Sequence, residues 1–68
     1  MDDRSLNDRQ QRIAELVADG LSDKQIGAIV GLSQPRVNEI VHDIASSLRV
    51  DRSKNLRVQI ALVVRRSA

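Results

Sequence analysis

The chain contains no phenylalanine, tyrosine, tryptophan or cysteine, and only one proline, three glycines, one histidine and one methionine. Each absence removes a class of behaviour. Without cysteine there are no disulfides and no thiolate metal sites, and a single histidine cannot hold a metal ion without several carboxylate partners. Without aromatic rings the chain lacks the stacking platforms that grip unpaired bases, so a nucleic-acid partner would be duplex rather than single-stranded. No apolar run approaches the roughly 20 residues of a membrane span, and the polar, acidic N-terminus is unlike a signal peptide. A soluble intracellular protein is the default expectation. The pattern also lacks paired carboxylates, a nucleophile–base pair and a Gly-rich phosphate loop, which argues against an enzyme, a cofactor or a small-molecule ligand.

What is present is aliphatic and charged. The 68 residues make one domain at most, and its core must come from Leu, Ile, Val and Ala. Such a core is worth roughly 3–5 kcal/mol at this size, so help from a partner subunit is expected. Net charge is only +2, but it is uneven: residues 1–32 carry four basic and six acidic groups, residues 33–68 seven and three. A basic second half fits a nucleic-acid surface; an ordinary solvated surface is the plainer alternative.

Residues 1–5 carry no pattern and are expected to fray. Asn7 then caps a first helix over about residues 8–19, with Gln10 closing a capping box, Leu6 as the staple, and Ile13, Leu16 and Val17 as the apolar stripe. Gly20 ends it. Ser22 and Gln25 repeat the box for a second helix over 23–30, whose apolar side is Ile26, Ile29 and Val30 and whose small residues Gly27 and Ala28 allow close approach. Gly31 stops that helix, and only Leu32 and Ser33 precede the next, the pattern of a helix-turn-helix.

The third helix, over about 34–48, organises the rest. Val37, Val41, Ile44 and Leu48 stack as one buried stripe, and Pro35, Asn38, Glu39, His42 and Ser46 fall opposite. Ser33 is one candidate cap; Gln34 is the other, because a residue before proline is pushed away from helical angles. A fourth helix is expected over about 52–66, capped by Asp51 or Ser53. It carries two apolar faces: Leu56, Ile60 and Val63, and on the other side Val58 and Leu62 with Ala61 nearby. A terminal helix of a monomer needs one such face, so the second suggests self-association.

These residues resemble a known family. Leu6-Asn7-Asp8-Arg9, Ala18-Asp19-Gly20-Leu21-Ser22-Asp23-Lys24-Gln25-Ile26-Gly27, Val30-Gly31-Leu32-Ser33, Val37, Leu48 and Val50 are similar to the LuxR-type (GerE-like) DNA-binding domain, without gaps from about Leu6 to Leu62. The resemblance implies an all-α, four-helix domain that dimerises through its last helix and regulates transcription. It implies base reading from the positions of Asn38, Glu39 and His42. Phosphate contacts would come from Lys24, Arg36 and the stretch before the fourth helix. Arg36, Asn38, Ile40, Ser47 and Arg49 depart from the residues common in the family, so base preference is expected to differ. Members commonly carry a receiver or ligand-binding domain ahead of this one; here only about five residues precede it, and Met1 favours a natural start.

The chemistry of the polar face agrees with that role. Asn38 and Gln34 can each pair bidentately with adenine, His42 can donate to or accept from a purine, and Glu39 can accept from a cytosine amino group. Lys24, Arg36, Arg49, Arg52 and Lys54 are the phosphate candidates, with Arg57 assigned either to them or to the dimer edge. Asp43, on a shoulder of the helix, is expected to orient a neighbouring arginine. Val58, Ala61, Leu62 and Arg65 are the dimerisation candidates. The partners expected are duplex DNA and a second copy, with RNA polymerase a further candidate, on the nucleoid of a bacterial cytoplasm whether the gene is the host's or a phage's. Two other readings compete: a sigma-factor region-four-like module, and a protein-interaction module that has lost DNA binding.

Overall fold

The computed structural model describes residues 6–51 and 53–67; the frayed segment expected at 1–5 and the phosphate candidate Arg52 lie outside the described residues. Four helices form: α1 (Asp8–Ala18), α2 (Asp23–Val30), α3 (Gln34–Leu48) and α4 (Leu56–Ser67). Among the described residues there is no strand, so the domain is all-α.

The first three helices start on local chemistry. Asn7 Oδ1 accepts from the Gln10 N–H at 2.7 Å, and Gln10 Oε1 accepts from the Asn7 N–H at 3.1 Å. Ser22 and Gln25 form the same box at 3.2 and 2.8 Å. At α3 the cap is Ser33, whose Oγ accepts from the Arg36 N–H at 3.3 Å, leaving Gln34 as the first helical residue and Pro35 in the tolerated first turn.

These three helices also end alike. Gly20, Gly31 and Arg49 each take a left-handed conformation, at φ 88°, 77° and 57°. The residue after each, Leu21, Leu32 or Val50, then donates its N–H five residues back, to Leu16, Gly27 and Ala45 respectively. All three following side chains are partly buried against the core, which completes the Schellman arrangement with its hydrophobic contact.

The fourth helix starts later than the expected residue 52, at Leu56. Neither Asp51 nor Ser53 caps it. Asp51 Oδ1 accepts from both the N–H and the hydroxyl of Ser53, at 2.9 and 2.7 Å, closing a turn of its own. Asn55 is the cap: its Oδ1 accepts from the N–H groups of Arg57 and Val58 at 3.0 and 3.2 Å. Gln59 then reaches back from the helix and clamps the Asp51 backbone, accepting from its N–H at 2.9 Å and donating to its carbonyl at 2.5 Å. The helix cannot unwind toward Asp51 without losing that clamp.

The core is aliphatic and shared among all four helices. Its largest fully buried side chains include one isoleucine from each: Ile13, Ile26, Ile44 and Ile60. The central helix α3 contributes most, burying Val37, Ile40, Val41, Ile44 and Ala45. Packing runs chiefly between α1 and α4 and between α2 and α3, with α3 also meeting α1 and α4. Gly27 makes the α2–α3 turn possible, because a Cβ there would run into the Leu32 carbonyl oxygen.

Two outcomes follow from these contacts. Gly27→Ala forces the backbone of the turn to shift and should cost about 1–3 kcal/mol in urea unfolding; a neutral result would mean that the turn yields freely. The second concerns acid. The Asp51 carboxyl is held below its ordinary value of 3.8 by the Ser53 hydroxyl and then by the Ser53 N–H. A carboxyl lowered in the native state stabilises the fold above its unfolded value and loses that contribution as pH falls through the native one. Asp51→Ala should therefore be less stable than the parent by a steady margin down to about pH 4, and the margin should shrink in more acid solution. A gap that stayed constant into strong acid would assign the effect to something other than that carboxylate.

Candidate nucleic-acid interface

Because α3 spends one side on the core, its other side is left to solvent. Gln34, Pro35, Arg36, Asn38, Glu39, His42, Asp43 and Ser46 are all exposed. Arg36, Asn38, Glu39, His42 and Asp43 line one shallow, open concavity on this face. Three of the four proposed base readers are thus brought together, and Gln34 stands outside the group at the start of the helix. Ile40 belongs to the other side. It is 4% exposed and packed in the core, so it offers no contact from this face.

The polar side chains are partly engaged with one another. Arg36 Nη1 donates to Glu39 Oε1 at 3.1 Å in an exposed pair one helical turn apart. At that exposure the pair stabilises by well under 1 kcal/mol, so both groups remain exchangeable for a ligand. Asn38 Nδ2 donates to Asp23 Oδ2 at 3.3 Å, tying the middle of α3 to the first residue of α2. Asp43 has no ion pair among the described residues, so the expected orientation of an arginine by Asp43 is absent there.

Positive groups bracket the face. Lys24 is exposed on α2, Arg36 lies in the first turn of α3, Arg49 follows its last residue, and Lys54 is exposed on the loop before α4. At 1.5 Å rise per residue, Arg36 and Arg49 are separated by roughly 20 Å along the helix. Arg57 does not join them. Its guanidinium donates to Asp23 Oδ1 at 2.5 Å and to the Leu21 carbonyl, so the expected phosphate or dimer-edge role gives way to an internal one.

On α4, Val58 and Leu62 are 56% and 52% exposed, large apolar side chains left uncovered beside the half-buried Ala61. Arg65, the fourth dimerisation candidate, donates from its guanidinium to the Ala18 carbonyl at 3.2 Å and so caps the end of α1 within its own chain.

Asp23 is the residue that sequence reasoning undervalued. It reads locally as a favourable charge in the first turn of α2. Its partners, Asn38 and Arg57, lie 15 and 34 residues away, and no periodicity marks them. Among the described residues no three His, Cys, Asp or Glu side chains gather to hold a metal ion, and no helix is long and apolar enough to cross a membrane. The chain matches no protein-family model, no curated protein and no solved structure.

Arg49 offers a direct test of what the end of α3 requires. A left-handed conformation costs a side-chain-bearing residue about 1–2 kcal/mol, and glycine avoids it at some entropic cost in the unfolded chain. Arg49→Gly should therefore raise stability by about 0.5–1 kcal/mol, seen as a rise in Tm of about 2–8 °C. A fall in Tm would show that the arginine side chain contributes to the fold.

Proposed function

We propose that this chain is a sequence-specific duplex DNA-binding regulator of transcription, of the LuxR-type helix-turn-helix kind, that reads the major groove with α3 as a homodimer. The observation that carries the reading is the division of α3. One side supplies five residues of the core, and the other offers Asn38, Glu39 and His42 in one concavity, beside Arg36 and with Arg49 beyond the far end. An α-helix fits the major groove, where base edges are distinguishable. Amide, imidazole and carboxylate groups suit that code, and flanking cations suit phosphates on either side.

The short turn between α2 and α3 and the uncovered pair Val58 and Leu62 support the same assignment. A dimer built on α4 would set two half-sites about 34 Å apart, or one helical turn. The reading is one of binding rather than catalysis, and it places the protein on DNA in the cytoplasm, where RNA polymerase is a natural second partner. A protein-interaction module on the same helix face is the competing assignment, favoured by Glu39 and Asp43 among the cations.

Selection from a random duplex pool at two salt concentrations separates the two. An enriched two-fold site is expected, with affinity falling steeply in salt. Five phosphate contacts per subunit (Lys24, Arg36, Arg49, Arg52 and Lys54) would give a slope of about −9 for the dimer. Asn38→Ala or His42→Ala should each weaken the selected site by about 1–3 kcal/mol and leave non-specific binding nearly unchanged. Absence of binding even at low salt would overturn the proposal in favour of a protein partner.

A further inference from the structure

We infer that Asp23, a residue of α2, is the specificity-determining positioning residue of the interface, fixing the Asn38 amide in the orientation that reads adenine. This rests on the reading of α3 as the base-reading helix. A carboxylate only accepts hydrogen bonds, so the contact between Asp23 Oδ2 and Asn38 at 3.3 Å can be made only by the amide's NH2 end. Of the two Nδ2 hydrogens, one is used in that bond. The amide keeps its second N–H and Oδ1 for a base. Adenine presents the complementary pair in the major groove, an acceptor at N7 and a donor at N6, whereas guanine presents two acceptors. With the amide held this way, Oδ1 meets the adenine N6 hydrogen favourably and the guanine O6 unfavourably.

Asp23 is itself held firmly enough to act as the reference. It is the first residue of α2, directly after the Ser22 cap. Its other oxygen accepts from Arg57 Nη1 at 2.5 Å, while Arg57 also donates to the Leu21 carbonyl. The Asp23 side chain is 17% exposed and that of Arg57 34%. The guanidinium also offsets the carboxylate's charge, so a negative group beside the reading face does not repel a duplex. The chain Arg57–Asp23–Asn38 thus links the first turns of α4 and α2 to the reading face of α3, and Asn38 meets DNA with its orientation already set.

The test compares the intact chain with Asp23→Ala, Asn38→Ala, the double variant and Arg57→Gln. Each is measured by competition binding to the selected duplex and to its single-base-pair variants, with thermal unfolding in the same buffer. The parent should prefer adenine at one position of each half-site by about tenfold or more. Asn38→Ala should flatten that preference, and Asp23→Ala should reduce it to within about threefold. The double variant should match Asn38→Ala, because Asp23 acts only through Asn38. Arg57→Gln should lower Tm and reduce the preference only in part, since Asn38 keeps its own bond to Asp23, whereas a merely structural role for Asp23 predicts that each variant loses preference in step with its loss of Tm. Asp23→Asn is the variant to use if Asp23→Ala does not fold. An amide at position 23 accepts or donates, so Asn38 can turn over, and tolerance of guanine should rise. Full adenine preference in the Asp23 variants, or an Asn38-dependent preference for another base, would overturn the inference and leave DNA reading by α3 intact. No enriched site for the parent chain would overturn both.

Discussion

The fold depends on closing a core without a single aromatic ring. Four isoleucines, one from each helix, are fully buried, with Ala14, Ala18, Gly27 and Ala45 buried around them. Aliphatic side chains of this size fill the centre only when helices approach closely, and the small residues permit it. The central helix α3 meets the other three, so it has little freedom to rotate: turning it would expose Val37 or Ile44 and bury a polar side chain without a partner. The polar face of α3 is therefore fixed by the packing behind it. The exposed polar face of α3 is the reverse side of the core and shares its rigidity.

Polar contacts finish what packing leaves undone. Among the described residues α2 and α4 do not pack on one another; the Arg57 side chain spans the distance to Asp23 and to the Leu21 carbonyl. A half-buried ion pair of this kind adds little net stability over an apolar pair of the same shape, since desolvation offsets attraction. Its consequence is geometric. It fixes where the first turn of α2 lies relative to α4, and through Asn38 it extends that constraint to the exposed polar face of α3. Arg65, donating to the end of α1, makes a second long-range tie from α4.

Much of this was legible because it is local. Asn7 with Gln10, and Ser22 with Gln25, settle their helix starts within three residues, and the apolar spacings of α1 and α3 mark their buried sides; that of α2 does so only in part, because Ile29, expected on its apolar side, is 48% exposed. The start of α4 was not legible, since Asp51, Ser53 and Asn55 are all capping residues. The choice among them is made by Gln59, which clamps Asp51 from within the helix. The burial of Ile40 follows from its spacing to Val37 and Ile44. The roles of Asp23 and Arg57 are beyond any periodic reading, because each partner lies on another helix and a charge in a first turn has a sufficient local explanation.

Arg49 joins the two levels. The same left-handed ending closes α1, α2 and α3, and in the first two it falls on glycine, which adopts it without steric cost. The backbone asks nothing of position 49 that glycine would not satisfy better. Its side chain is exposed, and it accepts a conformation costing on the order of 1 kcal/mol in a domain whose whole core is worth only a few times that. Strain kept at one residue, with a relaxed alternative in use twice in the same chain, points to work done by the side chain rather than by the turn. Its guanidinium stands just beyond the last residue of α3, roughly 20 Å along the helix from Arg36 in the first turn, and the proposed DNA contact would use both charges.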